Sequence, residues 1–218
     1  DFTVEHSTDL DPPVHTDPTA KTWPVIYDAD ALPDLEPTMR RGYPDHGEVE
    51  GWARQFVHDG GRIPETGHVL ATMTAAIKDG FRYTRRTDPG TQRPQLTLSS
   101  RTGTCRDFAL LMMEGARSLG LAARFVTGYI YVPARDRGDI RGGGATHAWV
   151  QVFIPGAGWV EFDPTNGIVG SRDLIRVGVA RDPRQAKPLS GSFIGVRDDY
   201  VGMTVEVKVT QEREVATA

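Results

Sequence analysis

The order of apolar and polar positions along the chain reads as helices first and strands afterwards. An apolar stripe of Val49, Trp52, Ala53, Phe56 and Val57 predicts a helix over about 47–58, which Asp59-Gly60-Gly61 stops. A second stripe, Val69, Leu70, Met73, Ala76 and Ile77, predicts a helix over 66–78, closed by Asp79-Gly80. Phe81-Arg82-Tyr83 then reads as a short extended exit, and the polar stretch 84–100, with Pro89-Gly90 and Pro94, as a loop. A third helix is expected over 105–119, with Gly120 as its C′ residue. Strand-like runs follow at 122–132, 146–154 and 158–163, and later at 174–180, 193–196 and 201–210. Helices followed by an antiparallel sheet argue an α+β fold.

Residues 1–44 break this pattern. They carry Asp11-Pro12-Pro13, Asp17-Pro18, Leu32-Pro33 and Glu36-Pro37, and little periodicity beyond a short strand-like run at 2–6. They read as an extended segment wrapping a domain made by residues 45–218. A formal net charge of −4 leaves no basic surplus for nucleic acid or an anionic membrane surface. No apolar run approaches the roughly 20 residues of a membrane-spanning helix. With no basic and apolar leader visible at the start, a cytoplasmic location is the expectation.

One cysteine excludes an internal disulfide, so the core alone must hold the fold. A lone thiol is usually a small buried hydrophobe. Its neighbours argue otherwise. Thr104-Cys105-Arg106-Asp107 has the spacing of a capping box, followed by an apolar run with helical periodicity. Cys105 is thereby placed in a first helical turn, where free N–H groups and the helix dipole favour a thiolate. Gly103 leaves room there for a substrate backbone to approach. Arg106 and Asp107 are expected to pair locally, with Asp107 as a cap.

Two strands supply the partners. In the run 147–154, residues 148, 150, 152 and 154 form an apolar face, and His147, Trp149 and Gln151 share the other. In the run 158–163, Trp159, Glu161 and Asp163 share a face, and Pro164 ends regular pairing. The turn-forming Pro155-Gly156-Ala157-Gly158 joins them. If Phe153 pairs with Trp159, then His147 and Asp163 become diagonal neighbours on one face; a one-residue slip would separate them. Asp163 can then hold one imidazole nitrogen and leave the other for Cys105, the base-plus-orienter arrangement of nucleophilic catalysis.

In that arrangement the thiolate attacks an amide or ester carbonyl, and His147 protonates the leaving group. The Cys105 backbone N–H is a candidate oxyanion donor, with Gln92 or Gln95 as a second. Trp149, like Trp159, either positions substrate and screens the thioester or simply packs. The glycine-rich loop 135–144 is a candidate gate. His6, His15, His46, His58 and His68 are widely spaced, so no metal site is expected, and no cofactor.

These motifs together, Gly103-Thr104-Cys105-Arg106-Asp107-Phe108-Ala109, His147-Ala148-Trp149-Val150 and Asp163-Pro164-Thr165-Asn166, resemble the bacterial transglutaminase-like superfamily. The resemblance covers about 45–210. It implies a papain-like core, with Cys105 on a helix packed against an antiparallel sheet that carries His147 and Asp163. Relatives of this kind often bear an N-terminal β-rich domain, and residues 1–44 resemble only the tail of one, so the chain reads as a fragment. Bacterial relatives are treated mostly as thiol peptidases or amidases, and animal relatives cross-link glutamine to lysine. No acidic cluster resembles the calcium sites of the animal enzymes. Hydrolysis of a peptide or other amide is the leading expectation. Acyl transfer to a primary amine is its rival with the same triad, and an inactive binding module is a third reading.

Overall fold

The stretch from Phe108 to Met113 has no polar side chain, so a helix built from it is apolar all round and must lie inside the molecule. In the computed structural model it forms the middle of a helix Cys105–Ser118, in which residues 107–117 are all buried. The structure describes residues 22–58, 63–86, 90–131, 146–170, 173–187, 192 and 194–202. Along them run α1 (Leu32–Met39), α2 (Glu48–Arg54, with a 3₁₀ turn Gln55–Val57), α3 (Thr66–Gly80), β1 (Arg82–Tyr83), α4 (Pro94–Ser100), β2 (Thr102–Gly103) and α5 (Cys105–Ser118). Five strands follow: β3 (Ala123–Ile130), β4 (His147–Ile154), β5 (Gly158–Asp163), β6 (Ile168–Val169) and β7 (Leu174–Ala180).

The five later strands make one antiparallel sheet in the order β6-β5-β4-β3-β7. Helix α5 lies against β3 and β4 and is flanked by α2 and α4. The main core joins α2, α3 and α5 to Ala148, Val150, Val152 and Ile154 of β4 and to Phe162 of β5. This is the α+β, papain-like arrangement expected from the sequence. The sheet's opposite face holds a smaller cluster of Val126, Ile130, Trp149 and Leu174. Both faces are therefore filled, which is why His147, Trp149 and Gln151 are as buried as their apolar neighbours.

Several expectations need correction. The loop expected over 84–100 contains α4, because Pro94 sits at the first helical position, where its missing N–H and fixed φ suit a helix start. For a similar reason the segment 1–44 is not extended throughout: Pro33 lies in the first turn of α1, whose Leu35 is buried. The helix expected over 47–58 tightens to a 3₁₀ turn after Arg54. Ile194–Val196 is irregular, and the strand-like runs at 2–6 and beyond Gly202, with the candidate gate 135–144, lie outside the described residues. Among the described residues no helix is long and apolar enough to cross a membrane.

Residues 22–44 are tied to the core by polar contacts that no local pattern in the sequence signals. The Trp23 indole donates to Leu119 O at 2.9 Å, and the Tyr27 hydroxyl links Ala122 N with Phe153 O. Glu114 and Arg117 form a buried ion pair at 2.9 Å. Glu114 accepts the Gly42 backbone N–H, and Arg117 donates to Thr38 O, Ala123 O and Arg181 O. A buried pair survives only when its remaining hydrogen-bond capacity is met, and here backbone groups meet it.

Candidate active site

The position of the candidate nucleophile, Cys105, is built by the start of α5. Thr104 is the N-cap, and Asp107 accepts both its backbone N–H, at 2.8 Å, and its hydroxyl, at 2.9 Å. Asp107 is fully buried and also takes the Gln92 backbone N–H at 2.7 Å and Arg86 at 3.2 Å. One carboxylate thus fixes the first turn of the helix and clasps the chain before α4 to it. Arg106 does not pair with Asp107; it donates to Pro183 O and lies over the Phe125 ring. The space at Gly103 also has another use: an added Cβ would lie 2.9 Å from Asp107 Cβ and 3.1 Å from Phe108 Cε1, so the glycine makes way for its own helix. Cys105, at 8% exposure, stands at the first position of α5.

The strands bring the other two groups together. Phe153 pairs with Trp159 and Val150 with Phe162, the register expected from the turn. His147 begins β4 opposite Gly128, and Asp163 ends β5 opposite Ile168. Their side chains meet: His147 Nε2 is 2.8 Å from Asp163 Oδ2, with both sealed from solvent. Asp163 is itself fixed. Thr165 N donates to Oδ1 at 2.9 Å, and Asn166 Nδ2 donates to Oδ2 at 2.7 Å. An aspartate accepting the N–H two residues on is the usual start of an Asx turn, and Pro164 stiffens it.

The imidazole's other nitrogen, Nδ1, is buried without a well-formed hydrogen bond. The Cys105 thiol lies near enough to this ring to favour its charged form. With Nε2 held by Asp163, Nδ1 is the atom left to receive the thiol; such contacts are often long in an unliganded site. Burial opposes a charged ring. The Asp163 carboxylate, its hydrogen bond and the Cys105 contact outweigh burial and raise His147 from 6.5 to about 10. The ring is therefore an imidazolium at neutral pH.

The remaining candidates lie around this trio. The Gln92 side-chain amide donates to Thr102 O at 3.0 Å, and that of Gln95 donates to Pro44 O. Trp149 is fully buried and stacks on His147, with centroids 5.9 Å apart and planes at 29°. Asn166 holds Asp163, a role that residue type alone does not reveal; the sole sequence signal for it is the Asx-turn string Asp163-Pro164-Thr165-Asn166. Among the described residues no group of three or more His, Cys, Asp or Glu side chains is placed to hold a metal ion.

Comparison with known proteins gives the same frame. Residues 59–164 match the model of the transglutaminase-like superfamily. An uncharacterised protein of Mycobacterium leprae is 37% identical over 108 residues, covering 48% of this chain and 37% of that protein. An uncharacterised protein of Mycobacterium bovis is 35% identical over 147 residues, covering 64% of this chain and 46% of that one. The chain thus spans less than half the length of these relatives. Among solved structures, a putative cysteine protease from Cytophaga hutchinsonii superposes with a TM-score of 0.55 at 22% identity, covering 79% of this chain and 53% of that one, a likeness of fold. Residues 59–164, just under half of the chain, are therefore similar to the transglutaminase-like superfamily.

Proposed function

We propose that the protein is a cysteine-dependent amide-bond hydrolase of the peptidase or amidase type, working through an acyl-thioester at Cys105. The observation that carries this reading is the state of His147: one nitrogen is held by a buried carboxylate, while the other is free of any well-formed bond and belongs to a ring in contact with the protein's single thiol. In this reading residues 45–218 are the catalytic unit.

The Cys105 thiolate, paired with the His147 imidazolium, attacks the carbonyl carbon of a peptide or other amide. A C–S bond forms and the carbonyl π pair moves to oxygen. The Cys105 backbone N–H, unpartnered within the first turn of α5, faces the negative charge that develops. Collapse of the intermediate breaks the C–N bond as His147 gives its proton to the leaving amine. Water then enters, His147 takes one of its protons, and the thioester is cleaved to an acid and the free thiol. Asp163 keeps the imidazole oriented and favours its charged form throughout. Gln92 and Trp149 serve here through position: Gln92 holds the chain before α4 onto the helix start, and Trp149 lies beneath the imidazole.

The test is an electrophilic peptide library screened against wild type, Cys105→Ala and His147→Ala. A covalent adduct at Cys105 and turnover in wild type alone are expected; full turnover in either variant rejects the assignment. Adding excess lysine analogue separates hydrolysis from acyl transfer, since transfer gives an amide product in place of the acid.

A further inference from the structure

Beneath the imidazole lies a polar chain that the triad does not use. The Trp149 indole N–H donates to Glu161 Oε2 at 2.6 Å, and Gln151 Nε2 donates to Glu161 Oε1 at 2.7 Å. Arg124 Nε in turn donates to Gln151 Oε1 at 2.7 Å, and its guanidinium lies 4.0 Å above the Trp159 ring. Arg176 reaches Glu161 at 3.5 Å from β7, the edge strand beyond β4 and β3. Glu161 and Gln151 are direct cross-strand partners. A carboxylate that is largely buried and still takes three donors is a costly thing to place on a sheet face.

The indole is gripped at both ends. Glu161 holds its nitrogen, while its far edge lies over Gly128, where an added Cβ would come within 2.8 Å of Trp149 Cη2. Gly128 is also the residue opposite His147 in the sheet. The ring so fixed is the one on which His147 stacks. A planar aromatic face under an imidazolium attracts it through the ring quadrupole and fixes its tilt.

We infer that Glu161 is a positioning residue for the reaction: by holding the Trp149 indole it sets the platform that keeps the His147 ring aligned between Asp163 and Cys105. The inference rests on the triad reading above. Glu161 acts only through Trp149, and a glutamine at this position sets an N–H₂ against at least one of the donors that the carboxylate accepts. The ring then loses its fixed support without losing Asp163.

Cys105 is the protein's single cysteine, so its alkylation by iodoacetamide as a function of pH reads this thiol alone. Wild type is expected to label readily at pH 6, and His147→Ala to lose that acid limb. Glu161→Gln should lower the rate at pH 6 about tenfold, because a ring out of alignment pairs less well with the thiolate, with labelling at pH 10 little changed. In a Trp149→Phe background, Glu161→Gln should have no further effect. A folded Glu161→Gln protein with the wild-type profile, or an equal drop in the Trp149→Phe background, overturns the inference while leaving the triad intact. A His147→Ala profile identical to wild type overturns the triad reading itself, and the inference with it. Should Glu161→Gln not fold, NMR of the wild-type Trp149 indole N–H, assigned by its loss in Trp149→Phe, decides the matter. Slow exchange with solvent supports the clamp, and exchange as fast as a surface indole rejects it.

Discussion

Asp163 Oδ2 lies 2.8 Å from His147 Nε2, in a contact from which solvent is excluded on both sides. The negative charge of Asp163 is the largest favourable influence on the imidazolium. Asp163→Asn keeps the shape and removes that charge. Turnover of an amide substrate is expected to fall on the order of 10²-fold or more, because the base loses both its orientation and its charged state. Kinetics of Asp163→Asn beside wild type, with the melting temperature recorded for each, make the check. Undiminished kcat would detach Asp163 from the reaction.

The same pair makes stability depend on pH. His147 is raised from 6.5 to about 10 in the folded chain. Below 6.5 the ring is protonated in folded and unfolded chains alike, and its stabilising contribution is fully present. Between 6.5 and 10 the folded chain keeps a proton that the unfolded chain has released, so stability falls as pH rises, and the contribution is gone above 10. The slope should approach about 1.4 kcal/mol per pH unit within that window. Urea unfolding in a Cys105→Ser background, where Asp163 remains, measures the slope, with the upper end of the window moved below 10 because the Cys105 contribution is gone. Adding His147→Gln should flatten the curve; a slope that survives the second substitution belongs to another group.

The parity of residues 147 and 163 and the turn at 155–158 suffice to place His147 beside Asp163, because a strand's period of two leaves little freedom once the hairpin register is set. The start of α5 is equally legible, since Thr104 and Asp107 carry a local signal three residues apart. Contact between remote stretches carries no such signal. Glu114 and Arg117 look like an ordinary i,i+3 surface pair, and only the fold shows them buried against Thr38, Gly42 and Arg181. Gln92 and Gln95 suit an oxyanion role by type and proximity in sequence, yet their amides point to Thr102 and Pro44. Helices α1 and α4 are hidden by prolines: Pro33 and Pro94 suit a first turn, and Pro37 sits inside the short α1.

Asp107 joins three pieces of chain at the turn that carries Cys105. Replacing it with alanine leaves the Thr104 and Gln92 backbone donors and the Arg86 guanidinium without their acceptor. Loss of the cap and of the buried backbone hydrogen bonds should cost about 3 kcal/mol. Activity should fall further than stability alone explains, because Cys105 is two residues away in the same turn. Denaturant titration together with kcat at a temperature where the variant stays folded separates the two effects. A loss under about 1 kcal/mol would mean that water replaces these contacts easily.

Gly128 lies on β3 between His147 of β4 and Arg176 of β7. An alanine Cβ there would sit 2.0 Å from the backbone oxygen of Ile175, in addition to its clash with the Trp149 ring. The pairing of β3 with β7 already shifts register between Thr127 and Gly128, so the strand is bent at the point where it must let Ile175 approach. Backbone cannot swing aside as a side chain does, and either β7 must peel back or β3 must flatten. Gly128→Ala should therefore destabilise the protein by at least about 3 kcal/mol, at the upper end of overpacking costs. Gly178→Ala is the matched control on the partner strand, since its Cβ would meet only the Thr127 methyl, at 3.3 Å. Because the displaced indole carries His147, the Gly128 variant should also lose the acid limb of Cys105 alkylation, and Gly178→Ala should keep it. Equal melting temperatures for the two variants would show that the sheet relaxes freely at this crossing.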